Sequence, residues 1–537
     1  MATIAEALAH AMADHRAGRL DQAERVYRQI LQVDPNHADA WNLLGVIRCQ
    51  AGEHRFAADC ISRAIRLNPG NAGFRGNLGL TYRAMKKLEE AVACYRRALE
   101  MQPDYADTHY NLGNALREQG NLGEAVACYR RALELKPDLA MARTNLGIAL
   151  QEQGRLGDAV ACQRRALELR PHDPETHYNL GNALQAEGKL DEAIACYRRA
   201  LELKPNLAMA YGNLGDALQA QEKLDEAAAC YRRAVELKPD YVNWHINLGI
   251  AFQKQGRLSD AVACYRRVLE LQPDQDEAYK NLGRALQDQG RLADAIAVWQ
   301  EWLRNKPGSA IARHLLAANT GQNVPSRATD EYIREEFDQF AEGFDKTLQQ
   351  LGYRAPDLIA TAIGKILGAA QGNLDVLDAG CGTGLCGPLL RPYARRLSGV
   401  DLSPAMLERA RDRHIYDHLI VAELTAHLGA FAGNYDLVVA ADTLVYFGDL
   451  QSVLAAAAGA LRVGGFLVFT VEKVAVDGPV ASGFCLQPHG RYCHREDYLR
   501  STLAEVGLRV LDMTPETLRT EGRQPVHGIV VSSCKTK

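Results

Sequence analysis

The sequence predicts two parts, an all-α repeat solenoid followed by an α/β doubly wound domain. Three observations predict this: prolines recur every 34 residues from Pro35 to Pro307, the period ends at Gly321, and apolar strand-like runs then alternate with helical ones around a glycine-rich turn at 378–384. A chain of 537 residues exceeds a single core, since cores stop growing near about 250–300 residues. Its composition, 47% hydrophobic and 24% charged, is that of a folded globular protein.

The repeats come first. Alanines from Ala23 to Ala295 and glycines from Gly45 to Gly283 keep the proline period without insertion. In one unit, Gly79 and Ala91 lack bulk where two antiparallel helices cross, Tyr95 fills the adjoining space, and Pro103 marks the junction with the next unit. The pattern Leu78-Gly79-x2-Tyr82, Ala91-x3-Tyr95, Pro103 resembles the tetratricopeptide repeat. Nine units are predicted over 1–307, with 308–321 as a capping helix that stops at Gly321. Stacked units share one continuous core that no single unit can bury.

Seven of the thirteen cysteines, from Cys60 to Cys264, keep the same 34-residue interval. They read as a small packed position and not as a disulfide framework. The N-terminus shows no secretory signal and the apolar runs are too short to span a bilayer, so no membrane partner and a reducing cytoplasm are expected. Cut at Gly321, the chain carries 41 Lys+Arg against 40 Asp+Glu, then 21 against 26. Neither part has the basic excess of a nucleic-acid binder.

Asparagine recurs in Asn-Leu-Gly on the first helix of the unit, at Asn111, Asn145, Asn179, Asn213 and Asn247 among others. The repeats resemble those of O-linked N-acetylglucosamine transferases, in which an asparagine ladder holds extended polypeptide. That resemblance implies a groove for a protein or peptide; bonding between neighbouring helices, or simple duplication, is the other reading of the same residues.

Residues 322–352 come next as a linker and helix, 330–350, with Ile333, Phe337, Phe340 and Phe344 on one face. The last domain, 353–537, shows strands near LDVLDAG, LSGVDLS, LIVAEL, YDLVVAAD and GGFLVFTVE, an irregular stretch after Glu472, a helix near 495–506, and final strands LRVLDM and HGIVVSS. Such a parallel sheet binds ligands at the carboxyl ends of its strands.

The first strand runs into Asp378-Ala-Gly380-Cys-Gly382-Thr-Gly384, and Asp401 closes the second strand. Alternating glycines let backbone approach a ligand, and an acid after the second strand suits ribose hydroxyls. Gly382-x-Gly384-x2-Gly387 also fits a dinucleotide fingerprint, but an anionic pyrophosphate would meet Asp378. S-adenosylmethionine, cationic and without phosphate, fits better than NAD.

With that loop, FDQFAEGFD at 337–345, LGYRAP at 351–356, YDLVVAADTLVYFGDL at 435–450 and GRYCHREDYL at 490–499 resemble bacterial tetratricopeptide-containing class I methyltransferases. The resemblance implies an S-adenosylmethionine-dependent methyltransferase. It places Gly380, Gly382 and Gly384 under the methionine part, Asp378 near its ammonium, Asp401 on the ribose, Leu402 and Leu424 around the adenine, and Glu423 on the adenine amino group. It makes 330–350 a lid, with Arg354 placed to meet a carboxylate.

Methyl transfer from a sulfonium requires alignment more than a nucleophilic residue, although an amine or hydroxyl acceptor needs a base within reach. Asp442, Tyr446 and His494 are the catalytic candidates; Arg491 and Tyr492 are the acceptor-binding ones, with Glu472 and His489 nearby. Cys485, His489, Cys493 and His494 have zinc-ligand chemistry, but the cofactor needs no metal and none is assigned. The main function expected is methyl transfer to an acceptor recruited through the solenoid. A small-molecule methyltransferase with repeats used for assembly, and a scaffold without turnover, are the alternatives.

Overall fold

The structure is a computed structural model that describes residues 3–474, 483–521 and 524–536. The chain divides into two compact units, Met1–Asp260 and Ala261–Lys537.

The first unit is built of antiparallel helix pairs, beginning with Ile4–Arg16 and Leu20–Val33 and repeating in register through Ala208–Ala220 and Leu224–Leu237. The crossing residues behave as their sizes dictate. A Cβ placed on Gly79, Gly113, Gly181 or Gly215 would lie 2.5–2.7 Å from the ring of Tyr95, Tyr129, Tyr197 or Tyr231, and each of these rings is fully buried. Even one added methyl would therefore move a ring or a helix, at a typical cost of about 1–3 kcal/mol. In one repeat Gln163 replaces the tyrosine, and its side-chain amide fills the space beneath Gly147.

The second unit opens with the last repeat helices, including Asp276–Asp288 and Leu292–Asn305. The predicted capping helix is Ala310–Thr320; the Ser309 hydroxyl accepts from the Ala312 amide, and Gly321 ends the helix with φ of +67°. The segment expected as one helix over 330–350 is instead two, Asp330–Phe340 and Phe344–Gln350. Gly343 stands in the break, where its low helix propensity costs least. The break lets Phe337 and Phe344 meet edge-on at 5.9 Å. It also leaves Phe340 43% exposed while Tyr332 is buried, so the buried face is not the one the spacing suggested.

The sheet contains β1 (Leu374–Ala379), β2 (Ala394–Asp401), β3 (His418–Val421), β4 (Tyr435–Ala440), β5 (Leu461–Lys473), β6 (Phe484–Leu486), β7 (Tyr492–His494), β8 (Leu508–Glu521) and β9 (Gln524–Lys535). Its order is 3-2-1-4-5-7-6, with β1 to β5 parallel to one another. β9 runs antiparallel to β5, and β8 antiparallel to β9. The stretch after Glu472 read as irregular holds the short hairpin β6–β7. Successive strand residues face opposite layers: Leu377 and Val438 join one apolar core, Val376 and Val439 the other. Helices covering both faces account for the continuous apolar runs in these strands.

Candidate active site

β1 pairs with β2 on one side and β4 on the other, so the chain winds away from β1 in both directions and opens a crevice at the strand ends. Four acids mark that edge, one per strand. Asp401 ends β2, Asp378 is penultimate in β1, Asp442 lies two residues past β4, and Glu472 is penultimate in β5.

On the β1–β2 side the loop is shaped by glycine. Gly380, Gly382 and Gly384 have φ of +75°, +53° and +84°, a region that other L-residues enter at a cost. Gly380 has no room for a Cβ, which would lie 2.3 Å from Thr443; Gly382 is open, its nearest neighbour being Phe344 at 4.0 Å. Asp401 accepts from the amides of Gly382 and Ser403, both at 2.9 Å, which ties the loop to β2. Asp378 is 1% exposed and accepts from the Tyr416 hydroxyl at 2.6 Å. Burial pushes its pKa up to about 7, the Tyr416 bond pulling it down and the Asp401 charge pushing it further up. A buried carboxylate without a cationic partner among the described residues, in a glycine loop with room at Gly382 and beside a second acid, fits a cationic, hydroxyl-bearing cofactor and disfavours a phosphate. Leu402 is half-buried and Leu424 buried at the adjoining loops.

Glu423 caps helix Leu424–Ala430, its two oxygens accepting one amide each, from Thr425 at 3.0 Å and Ala426 at 2.7 Å, which leaves a lone pair on each.

On the β4–β5 side, Asp442 adopts φ of +52° and is tied to the neighbouring strand β5, its amide donating to the Thr470 hydroxyl at 2.8 Å. Its carboxylate meets Arg519 at 2.5 Å. Arg519 is 3% exposed and also pairs with Glu472 and Glu521, while Arg491 bonds Glu472 at 2.7 Å and Glu521 at 2.6 Å. Burial raises the pKa of Asp442, with Arg519 opposing; burial likewise raises that of Glu521, but Arg491 and Arg519 outweigh it and hold the group at about 2. Tyr446 lies deep beside this network, its ring edge-on to Phe337 at 5.5 Å, and burial raises its pKa so that the phenol stays protonated.

Two predicted residues are turned away. His494 is fully buried, its Nε2 3.1 Å from the Gly448 carbonyl, and burial pushes its pKa down to about 4. Tyr492 is fully buried and donates to the Pro325 carbonyl at 2.7 Å. Both side chains are thus out of solvent and bonded to main-chain carbonyls. Arg491 stays at the crevice but is bound to carboxylates of its own chain, and Arg354 pairs with Glu516 at 3.6 Å. His489 lies 3.4 Å from Glu472. Arg519 escaped the sequence reading because it comes from β8, where a register shift between Thr517 and Arg519 re-aims the strand.

A methyltransferase-domain family model matches residues 377–469. Tetratricopeptide-repeat models match 79–117, 113–154 and 152–188, 8–72 and 246–310, and 172–240 and 206–274. The chain carries tetratricopeptide repeats and a methyltransferase domain. Malonyl-[acyl-carrier protein] O-methyltransferase of Acetivibrio thermocellus is 34% identical over 103 residues, 19% of this chain and 36% of that one. Methyltransferase-like protein 27 of Homo sapiens is 34% identical over 139 residues, 26% and 56% of the two chains. Demethylmenaquinone methyltransferase of Tropheryma whipplei is 31% identical over 137 residues, 25% and 57%. The chain thus spans between about a third and just over half the length of these relatives.

In the tetratricopeptide repeats the asparagines fall into two sets. Asn145 donates to Asn114 at 2.7 Å, Asn213 to Asn182 at 2.8 Å, and Asn247 to Asp216 at 2.9 Å. These three bond the preceding repeat, so for them the helix-to-helix reading holds. The acceptor stands 31 residues earlier each time. For Asn111 and Asn179 that position carries Leu80 and Ile148, which cannot accept. Both amides are half-buried and make no side-chain hydrogen bond among the described residues.

Proposed function

We propose that the methyltransferase domain transfers a methyl group from S-adenosylmethionine to an acceptor held at the ends of β4 and β5, and that the repeats recruit a polypeptide, either the acceptor or a partner that delivers it. The observation that carries the first part is Asp378, a buried carboxylate with its pKa pushed up to about 7, set under three left-handed glycines and beside Asp401. Asp378 would meet the ammonium, Asp401 the ribose, and Leu402 and Leu424 the adenine, with Gly380, Gly382 and Gly384 under the methionine part. Bound there, the cofactor supplies a methyl on a sulfonium, a good leaving group. Tyr446 would donate a hydrogen bond to orient the acceptor, and Asp442, held by Arg519, is the carboxylate in place to take its proton.

The second part rests on Asn111 and Asn179, amides free to bond extended main chain. No helix is long and apolar enough to cross a membrane among the described residues. A second reading, a small-molecule methyltransferase whose repeats serve assembly, draws on the demethylmenaquinone-named relative.

Calorimetric titration of the whole protein with S-adenosylmethionine, with NAD as control, tests the cofactor. Saturable binding, lost in Asp401→Ala and absent with NAD, is the expected result. No binding by the wild-type protein would favour a scaffold without turnover.

A further inference from the structure

At the end of the solenoid the positions flanking the ladder asparagine change, although Asn281 itself is kept. Lys280 stands in the repeat where Tyr110 and Tyr178 stand earlier, Arg284 where Asn114 and Asn182 stand, and His314 repeats the Lys280 position in the capping helix. All three turn to helix Asp330–Phe340. Lys280 Nζ lies 2.6 Å from Glu336 Oε2, with side chains only 11% and 17% exposed; Arg284 lies 3.7 Å from the other Glu336 oxygen. The His314 ring stacks on Tyr332 at 3.9 Å, and its Nε2 is 2.8 Å from the Gly490 carbonyl. Where earlier repeats bond one another, these bond a helix of the same chain.

The same helix and its successor hold the cofactor loops. Asp338 accepts from the Ser403 hydroxyl at 2.5 Å, two residues after Asp401. Asp345 accepts from the Thr383 hydroxyl at 2.5 Å and pairs with Arg413. Phe337 faces Tyr446 and Phe344 faces Gly382. One short segment therefore touches the repeats on one side and both sides of the crevice on the other.

We propose that residues 330–350 couple the tetratricopeptide repeats to the cofactor site, with the Lys280–Glu336 ion pair setting the position of the segment over the loops at 382–384 and 402–403. A largely buried ion pair contributes register more than stability, and removing one partner strands the other charge. The segment lies against Gly382 and Ser403, so its population in that position sets the apparent cofactor affinity. By reciprocity the cofactor would then tighten the contact with the repeats. This rests on the S-adenosylmethionine reading above.

The test uses the full chain: wild type, Lys280→Glu, Glu336→Lys and the double exchange, titrated with S-adenosylmethionine. Each single change is expected to weaken binding by about tenfold, within the range typical of coupled sites, and the double exchange to recover most of it. Hydrogen exchange without cofactor gives a second readout: Lys280→Glu should speed exchange at 344–350 and 382–384. Wild-type titration separates the two readings, since failure there removes the cofactor assignment while the exchange measurement still decides the coupling. Single variants that bind and exchange as wild type would overturn the proposal. Losses that the double exchange does not restore would assign the titration effect to misfolding, and Lys280→Met, less disruptive, then decides: faster exchange at 344–350 and 382–384 supports the coupling, and exchange as in wild type would overturn it.

Discussion

Asp378 is an acid enclosed by its own strand neighbours, and its chemistry derives from that enclosure. Its folded pKa, pushed up from 3.8 to about 7 chiefly by burial, lies above the unfolded value, so its contribution to stability is present at low pH and is lost as pH rises through about 7. A bound cation reverses the preference by stabilising the carboxylate. Below about pH 7 S-adenosylmethionine should therefore bind with release of a proton, and its affinity should climb by up to about tenfold per pH unit. It should level off near pH 7 and fall again as the ligand's α-amino group loses its proton near pH ~8. Calorimetry at pH 6 in two buffers of different ionisation enthalpy measures the proton; Asp378→Asn should bind weakly and abolish the low-pH slope. Asp378, the three glycines and Asp401 were legible in the sequence because one strand, one tight turn and the next strand end fix them locally. Arg519 was not, because it is 77 residues from Asp442 and only the path of β8 brings the two together.

At the scale of elements, alternation separates what the sequence reading joined. GRYCH reads as one cluster of reactive side chains, but β7 sends Tyr492 and His494 to one face and leaves Arg491 on the other, against Glu472. Residue spacing along a short hairpin hidden in an apparently irregular stretch gave no sign of which face would be buried. The asparagines show the same limit. Their period predicted one ladder, whereas Asn145, Asn213 and Asn247 bond the residue 31 positions earlier and Asn111 and Asn179 find no acceptor there. Asn145→Ala with Asn213→Ala should lower thermal stability, each lost bond contributing about 0.5–1.5 kcal/mol. Asn111→Ala with Asn179→Ala should leave it unchanged or raise it slightly, since alanine is favoured over asparagine in helices by up to about 0.7 kcal/mol. Equal melting shifts in the two double variants would show that the division does not exist.

For the whole molecule, the end of a sequence period is not the end of a packing unit. The period stops at Gly321, and the boundary predicted from it separates a solenoid at 1–321 from everything after. The last repeat helices nevertheless share the compact unit Ala261–Lys537 with the segment beyond Gly321. Tyr332 and Ala328, 4% and 1% exposed, lie past the end of the period, yet Tyr332 is covered by His314 before it. Asn319 adds a bond to the Pro488 carbonyl at 3.1 Å. A repeat period records duplicated helices and carries no information about the face that a later, unrepeated segment covers. A fragment 322–537 should therefore be less stable than 258–537. Exposing a side chain the size of Tyr332 costs about 1.5–3 kcal/mol, and for a domain of this size that corresponds to a melting temperature lower by about 5 °C. Thermal melts of the two fragments measure the difference. Equal melting temperatures would place the boundary at Gly321 after all and would make the contacts of Lys280 and His314 incidental to the fold of the methyltransferase domain.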